Sequence, residues 1–280
     1  MESTSKFCQS SWRLLHTPAA PGYWNMAVDE AILETVGRGE ALPTLRLYAW
    51  QPPCLSLGYA QPIADVDRPR LDALGWHLVR RPTGGRAILH TDELTYSVIA
   101  PPDEPRLAGG VLASYQCLAQ ALLLALRLLN LPVIAQEKYS SPGAPQSTNP
   151  VCFEVPSNYE ITAHGKKLVG SAQARRREGI LQHGSLPLHG DLTRITWALR
   201  FSDDASRELA AARLLERATT AETLLGYPLP WDEAAHAFAQ AFSQALNLNL
   251  QPDGLSPAER KRADELSATK YAHPAWNERI

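Results

Sequence analysis

The sequence predicts an α+β fold in which a mixed, mostly antiparallel sheet is flanked by helices. Through about residue 190, strand-like segments follow one another across short turns and seldom alternate with helices. This order favours hairpin pairing over a doubly wound parallel sheet. Residues 111–130 form a long apolar segment with helical spacing, and helical patterns dominate from residue 191 onward. We therefore predict a core at 12–190 and a helical C-terminal part at 191–280 that packs on the same domain.

In the first hundred residues the pattern predicts short elements separated by proline and glycine. Residues 1–11 look frayed, and a helix is expected from Asn25 to about Val36, where Gly37 and Gly39 end it. The turn 82–85 is expected to join two strands as a hairpin. The predicted strands are 44–50, 54–59, 77–81, 86–90 and 94–100, and residues 67–74 are predicted to be helical.

The second half is predicted to begin with more strands and to end in helices. After an exposed polar loop at 140–150, strands are expected at 159–162, 167–175 and 179–188. The clearest helices of the C-terminal part are 208–217, 232–246 and 256–267.

Composition excludes several classes of protein. The chain has 280 residues, a net charge of -2 and 45% apolar residues, so it can bury a sizeable core and has no overall basic field to attract nucleic acid. Its four cysteines lie far apart, with no CxxC pair, which argues against a zinc site or a disulfide framework and favours reduced thiols in the cytoplasm. No signal peptide is recognisable, and the longest apolar run is interrupted by polar residues, so no membrane span is expected.

Cys152 is the strongest candidate for chemistry. It lies at the end of the polar loop, where a substrate can reach it, and Lys167 follows fifteen residues later on a strand-like run. A thiolate is the reactive form of cysteine, and a nearby cation lowers the pKa of the thiol. We predict that Cys152 is an acyl-accepting nucleophile with Lys167 as its electrostatic partner. Cys54 and Cys117 fall in apolar patterns and are expected to be core residues.

Two further motifs could bind a ligand. In the segment from Arg80 to Ala87, the pair Gly84-Gly85 lets main-chain N–H groups approach an anion or a carbonyl oxygen, and Arg86 adds positive charge. An ordinary hairpin turn with solvated charges explains this composition equally well. The glycine spacing does not match a phosphate-binding P-loop.

The histidines are ambiguous by pattern alone. His90 stands close to Asp92 and Glu93, which suggests a triad, but a histidine bonded within its loop beside solvated acids is the favoured interpretation. His183, in a core strand, is expected to be a structural histidine. The basic run 175–177 is either a solvated turn or a docking patch for an acidic partner.

Taken together, these segments resemble the lipoate–protein ligase and octanoyltransferase family, related to the biotin protein ligases. The resemblance covers about residues 22–188 and returns weakly at 270–277. The matching segments, in order, are 25–30, 43–50, 56–59, 80–87 and 165–173. Within the family, Cys152-Phe153-Glu154 and the segment 179–185 are most similar to the cysteine-dependent octanoyltransferases.

The resemblance implies a catalytic domain like those of class II synthetases and biotin ligases, an acyl thioester on Cys152 and a substrate-contacting lysine at 167. It also implies an octanoyl–acyl carrier protein donor and a lipoyl-type acceptor domain such as the glycine-cleavage H protein. No cofactor or metal is expected. The residues that we predict to bind substrate are Arg80, Gly84, Gly85, Arg86, His90, Gly170 and Ser171.

Two departures from the family pattern matter. ATP-dependent ligases usually carry a third glycine where this chain has Arg86, and a Gly-Asn pair in the region of residues 93–96. These departures argue against an enzyme that forms an acyl adenylate and favour one that transfers an acyl group. Thr91 stands where relatives place an acid, which leaves the role of Asp92 open.

Three other activities fit the same segments. One is an ATP-dependent lipoate ligase, and another is an amidotransferase that moves the acyl group between lipoyl proteins. The third is a catalytically silent binding protein on the same fold.

Overall fold

The computed structural model describes residues 6–137 and 159–280, so Cys152 and the predicted loop at 140–150 lie outside the described residues. The described chain forms two sheets and their flanking helices. The strands are β1 (Ser10–His16), β2 (Thr44–Tyr48), β3 (Cys54–Leu57), β4 (His77–Arg80), β5 (Ile88–His90), β6 (Glu93–Ala100), β7 (Val133–Glu137), β8 (Tyr159–Ala163), β9 (Lys166–Arg175), β10 (Ile180–Pro187) and β11 (Leu248–Pro252). The helices are α1 (Gly22–Gly37), α2 (Arg68–Ala73), α3 (Val111–Leu128), α4 (Ile195–Ala198), α5 (Asp204–Arg217), α6 (Ala221–Leu225), α7 (Trp231–Leu246), α8 (Pro257–Leu266) and α9 (Pro274–Asn277).

The larger sheet has the strand order β11-β1-β2-β6-β10-β9-β8-β7 among the described residues. The β11–β1 and β1–β2 pairs are parallel, and the remaining neighbours are antiparallel. The prediction of a mixed, mostly antiparallel sheet flanked by helices is therefore confirmed.

Helices cover both faces of the larger sheet because its strands alternate their side chains between the faces. On β6, Val98 packs into the cluster formed with α3 and α7, while its neighbour Ile99 packs into the cluster formed with α1 and α8. All of these helices bury an apolar side against the sheet. Helix α3 is long and apolar enough to cross a membrane by composition, yet here its buried face belongs to the core.

The predicted hairpin around residues 82–85 is wrong. Strand β3 lies between β4 and β5, parallel to β4 and antiparallel to β5, in a small sheet of order β4-β3-β5. The turn 82–85 therefore crosses the end of β3 and brings Gly85 against it. The main chain there is so close that a Cβ on Gly58 would lie 1.9 Å from the Gly85 carbonyl oxygen.

Three strands were missed: β7, which follows α3, and β1 and β11, which come from distant parts of the chain. Residues 10 and 11, expected to be frayed, begin β1, and β11 falls in the predicted helical part. Because β11 pairs with β1, residues 248–252 add a strand to the edge of the larger sheet, next to a strand formed near the beginning of the chain.

Arg80 fastens the C-terminal segment to the small sheet. Its guanidinium is fully buried and donates to the carbonyl oxygens of Gly58 (2.9 Å), Gln61 (2.6 Å) and Asn277 (2.8 Å). The Arg80 main-chain N–H also donates to Asn277 Oδ1 at 2.7 Å. A buried guanidinium needs such partners. We therefore assign Arg80 a structural role in place of the substrate-binding role that the sequence suggested.

Candidate active site

A small apolar cavity opens where the small sheet meets the end of β10. Its volume is about 40 Å³, and Trp50, Ile88 and Met26 supply part of its wall. Of the residues predicted to bind substrate, Gly85, His90, Gly170 and Ser171 line it. We call this space the central cavity.

Hydrogen bonds from Arg81 fix the position of the Gly84-Gly85 turn. Arg81 Nη2 donates to the carbonyl oxygens of Gly84 and Arg86, both at 2.8 Å. Gly85 has a φ of +94°, a conformation that glycine adopts without strain. The turn is thus a fixed edge of the cavity, and both glycines are exposed to solvent.

One wall of the cavity carries a chain of buried hydrogen bonds centred on His90. His90 Nε2 lies 2.8 Å from Ser56 Oγ, and His90 Nδ1 lies 2.6 Å from Glu93 Oε1. Glu93 is only 5% exposed. The expectation that both acids near His90 face water is therefore wrong for Glu93, whereas Asp92 forms a half-buried ion pair with Arg194.

A second chain of buried hydrogen bonds reaches the cavity at His183. His183 Nε2 lies 2.7 Å from Thr83 Oγ1, and His183 Nδ1 is 3.7 Å from Asp29 Oδ2. Asp29 forms a fully buried ion pair with Arg46 at 2.7 Å. Tyr48 Oη also donates to Asp29, at 3.1 Å. His183 is thus a hydrogen-bonded core histidine, as the sequence favoured.

Burial acts in opposite directions on the pKa of Asp29 and the pKa of His183. Burial alone would raise the pKa of Asp29, but the charge of Arg46 and the contact with His183 outweigh it and hold that pKa below its usual value. Burial lowers the pKa of His183 despite the opposing influence of Asp29. Asp29 is thereby kept ionised and His183 neutral near pH 7.

Lys167 is nearly buried at the start of β9. Its ammonium group lies 3.3 Å from Glu160 Oε1 on β8. The next residues of the strand lead to Gly170 and Ser171 at the cavity, where Ser171 Oγ lies 2.7 Å from Tyr96 Oη. The predicted partner of Lys167, Cys152, lies outside the described residues.

A wider groove adjoins the central cavity, and Gly85 lines both. The groove has a volume of about 630 Å³ and is lined by Gly84, Arg86, Arg175 and Arg176, among others. None of its described lining residues carries a carboxylate. The groove is therefore locally basic in a chain whose net charge is negative.

Sequence reasoning missed Ser56, Thr83, Asp29 and Ser185. The first three lie inside the segments that carry the family resemblance, but nothing in their spacing links them to the two histidines. Ser185 Oγ is buried against the central cavity and has no hydrogen-bond partner among the described residues. A buried hydroxyl is normally paired, so a ligand oxygen is the missing partner that the cavity could receive.

Comparison with known proteins identifies the family of this chain. Residues 21–243 match the lipoyl protein ligase A/B catalytic domain. The chain therefore belongs to the family of lipoyl protein ligases and transferases that share this catalytic domain.

Within that family, the chain is similar to octanoyltransferases over almost its whole length. It is 43% identical to octanoyltransferase LipM of Kyrpidia tusciae, covering 96% of this chain and 99% of the relative. It is 42% identical to octanoyltransferase LipM of Symbiobacterium thermophilum, covering 97% and 99%. Among solved structures, lipoate–protein ligase A bound with ATP has a TM-score of 0.77 at 26% identity, covering 96% and 99%. The bipartite lipoate–protein ligase of Thermoplasma acidophilum has a TM-score of 0.76 at 26% identity, covering 97% of each chain.

The low pKa of His183 predicts a specific loss of stability in mild acid. Because this pKa is lower in the folded than in the unfolded chain, the unfolded state binds more protons between the two values. Stability should therefore fall as the pH drops below about 6.5, with a slope of up to about 1.4 kcal/mol per pH unit. Urea unfolding at a series of pH values measures this slope. His183→Gln should flatten it, whereas the exposed His236→Gln on α7 should leave it unchanged. Parallel curves for wild type and His183→Gln would contradict the assignment.

Proposed function

We propose that this protein is an acyltransferase that moves an octanoyl group from acyl carrier protein to a lysine of a lipoyl-type domain, such as the glycine-cleavage H protein. The near full-length similarity to octanoyltransferases carries this proposal. The apolar central cavity beside a fixed glycine turn supports it. We also propose a cytoplasmic location, which the widely separated cysteines favour.

The proposed reaction passes through a thioester on Cys152. The thiolate attacks the donor thioester, and an octanoyl group moves from one sulfur to another at little change in free energy. The acceptor lysine then attacks and forms an amide, which is the downhill step, so the reaction needs no ATP. A covalent intermediate divides one difficult transfer into two easier ones.

Lys167 is proposed to stabilise the thiolate and the oxyanion that develops at the carbonyl. Its ion pair with Glu160 is compatible with this role, because the pair fixes the position of the ammonium group. A single oxyanion donor is often worth about 3 kcal/mol.

The central cavity is proposed to receive the acyl chain. A dry cavity of about 150 Å³ holds a molecule the size of benzene, so a cavity of about 40 Å³ must widen for eight carbons. Met26, in its wall, is a flexible side chain suited to this movement. Each buried methylene contributes about 0.8 kcal/mol, so the cavity can rank chain lengths by modest factors. Ser185 Oγ is available there to bind a carbonyl oxygen.

The acyl-enzyme can be detected directly. Incubation with octanoyl–acyl carrier protein should increase the intact mass of the wild type by one octanoyl group, and Cys152→Ala should show no increase. Cys117→Ala, which alters a half-buried cysteine on α3, is the matched control and should be acylated normally. Lys167→Ala should lower turnover roughly 100-fold, whereas Lys166→Ala on the same strand should not. Acylation of Cys152→Ala, or equal turnover in the two lysine variants, would contradict the proposed roles.

We further propose that the basic groove binds the acidic carrier protein and the phosphate of its pantetheine arm. The groove leads to the central cavity at Gly85, which is where the thioester at the end of the arm has to arrive. Arg86 and Arg176 are the cations proposed to meet the donor; Arg176 also lies 3.6 Å from Glu30. Charge complementarity of this kind mainly raises the rate at which the two proteins encounter each other and the specificity of their binding.

An octanoyl thioester that lacks both the carrier protein and the phosphate distinguishes binding in the basic groove from catalysis. The double variant Arg86→Glu, Arg176→Gln should raise KM for octanoyl–acyl carrier protein about tenfold or more and leave transfer from octanoyl-N-acetylcysteamine within about twofold. Arg260→Glu, an exposed change on α8, is the control and should alter neither donor. Equal effects on both donors would overturn the proposed binding site.

A further inference from the structure

A cluster of aromatic rings and cations, formed in part by the C-terminal segment 270–280, lies at the edge of the basic groove. Tyr59 lines the groove and is 44% exposed. The guanidinium carbon of Arg279 lies 3.9 Å from the centre of the Tyr59 ring and 4.2 Å from the centre of the Trp276 ring. Arg279 Nη2 also donates to the Tyr59 carbonyl oxygen at 2.8 Å. Two rings and a main-chain acceptor therefore hold Arg279 beside the groove.

Arg279 forms no ion pair with any of the residues that the structure describes. Its Nε is buried and lacks a hydrogen-bond partner among them. A second guanidinium lies close by, because burial and the charge of Arg279 both lower the pKa of Arg80. The Arg80 side chain donates to neutral carbonyl oxygens. Two positive groups thus lie near each other without a carboxylate partner in the described chain, so a bound anion would stabilise both.

Two further cations add to the positive charge around Tyr59. Contact with Arg279 lowers the pKa of the Tyr59 phenol. The charges of Arg176 and Lys270 lower the same pKa further. Glu30 lies 2.6 Å from Lys270 Nζ and 3.6 Å from Arg176 Nη1. One carboxylate cannot neutralise two cations, so the surroundings of the Tyr59 hydroxyl keep a surplus of positive charge.

We propose that Tyr59, Arg176 and Arg279 form a binding site for the phosphate group of the donor's pantetheine arm. This inference rests on the proposed function and locates the donor's phosphate within the basic groove. The phosphate is the charged group of the arm, so it is the group that cations along the path of the arm can bind. Guanidinium groups bind phosphate oxygens through charge-assisted hydrogen bonds, and the Tyr59 hydroxyl can donate one more.

The position of this phosphate site fits the course of the arm. The Tyr59 N–H donates to the Thr83 carbonyl oxygen at 2.8 Å, which fixes Tyr59 beside the Gly84-Gly85 turn. Tyr59 and Arg176 line the groove that meets the central cavity at Gly85. An arm whose phosphate lies among these side chains can therefore extend along the groove, so that its thioester end reaches the cavity.

Two small donors test the phosphate site without the carrier protein. Octanoyl-phosphopantetheine and octanoyl-pantetheine carry the same thioester and differ only in the phosphate. Acylation of the wild type by each donor is followed by intact mass. The second-order rate constant should be about tenfold or more higher for the phosphorylated donor, because hydrogen bonds between charged groups are strong.

Substitutions in the phosphate site should reduce this preference. Arg279→Gln should lower it to about twofold or less, by slowing acylation from the phosphorylated donor. Tyr59→Phe removes one hydroxyl and keeps the ring, so it should lower the preference by about threefold. Arg279→Lys keeps the charge and should retain more of the preference than Arg279→Gln. Arg260→Gln, an exposed change on α8, is the matched control and should keep the wild-type preference.

The ratio of the two rate constants separates phosphate binding from a structural role. A displaced C-terminal segment would slow acylation from both donors alike, whereas the loss of a phosphate contact changes their ratio. If Arg279→Gln does not fold, Tyr59→Phe decides the matter, because it changes only an exposed hydroxyl.

Four results would overturn the phosphate site. Three are failure of the wild type to prefer the phosphorylated donor, an unchanged preference in Arg279→Gln, and equal slowing of both donors in folded Arg279→Gln. The fourth is a loss with octanoyl–acyl carrier protein but not with octanoyl-phosphopantetheine, because Arg279 would then contact the carrier protein itself. Failure of all three donors to acylate the wild type would instead count against the proposed function.

Discussion

The requirement that buried charge be paired governs how the centre of this protein is built. Arg46 and Asp29 are both fully buried, and they join β2 to α1 across an ion pair of 2.7 Å. Arg46 also donates to Asn25 Oδ1 at 2.7 Å, and Asp29 accepts from Tyr48 and Ser97. Leaving one such charge without its partner costs about 3–5 kcal/mol. Helix α1 therefore has one position on the sheet in which all these groups are satisfied.

This constraint extends to the central cavity. His183 stands between Asp29 and Thr83, so the turn that carries Gly84 and Gly85 is connected through it to the buried ion pair. On the other side, Arg81 holds the same turn and the Ser56 hydroxyl together. The cavity is thus bounded by groups whose positions are fixed by hydrogen bonds, as the proposed acyl-transfer site requires if reacting atoms are to be held in place. The acyl chain itself needs only apolar surface, which the flexible Met26 can help to provide.

The sequence predicted what depends on local pattern and missed what depends on distant pairing. Helix α3 and strand β6 were placed to within a few residues because their apolar residues repeat at regular spacing. Strands β1 and β11 were missed because they are short and pair in parallel from opposite ends of the chain. The position of β3 between β4 and β5 could not be read from a turn that looks like that of a hairpin.

The same distinction between local pattern and distant pairing applies to the residues of the candidate site. The glycine pair and Ser171 were predicted because they stand in segments that resemble a known family, and His90 because acidic residues stand close to it in the sequence. Ser56 and Thr83 were not, since they come from other elements than the histidines and meet them only in the folded chain. Glu93 was noted beside His90, but it was expected to face water. Arg80 was predicted to bind substrate because an arginine beside a glycine turn resembles a ligand-binding group until its carbonyl partners are known. The roles of Cys152 and Lys167 still rest on the resemblance and on their spacing.

The central claim is that energy for the amide bond comes from a thioester and not from a nucleotide. The structural likeness to an ATP-bound lipoate ligase makes this the decisive distinction. The most direct measurement is the intact mass of purified H protein after incubation with this enzyme and octanoyl–acyl carrier protein in nucleotide-free buffer. The account predicts that H protein gains one octanoyl group at a rate that added ATP does not change. Octanoylation only from free octanoate and ATP, with none from the carrier, would contradict it.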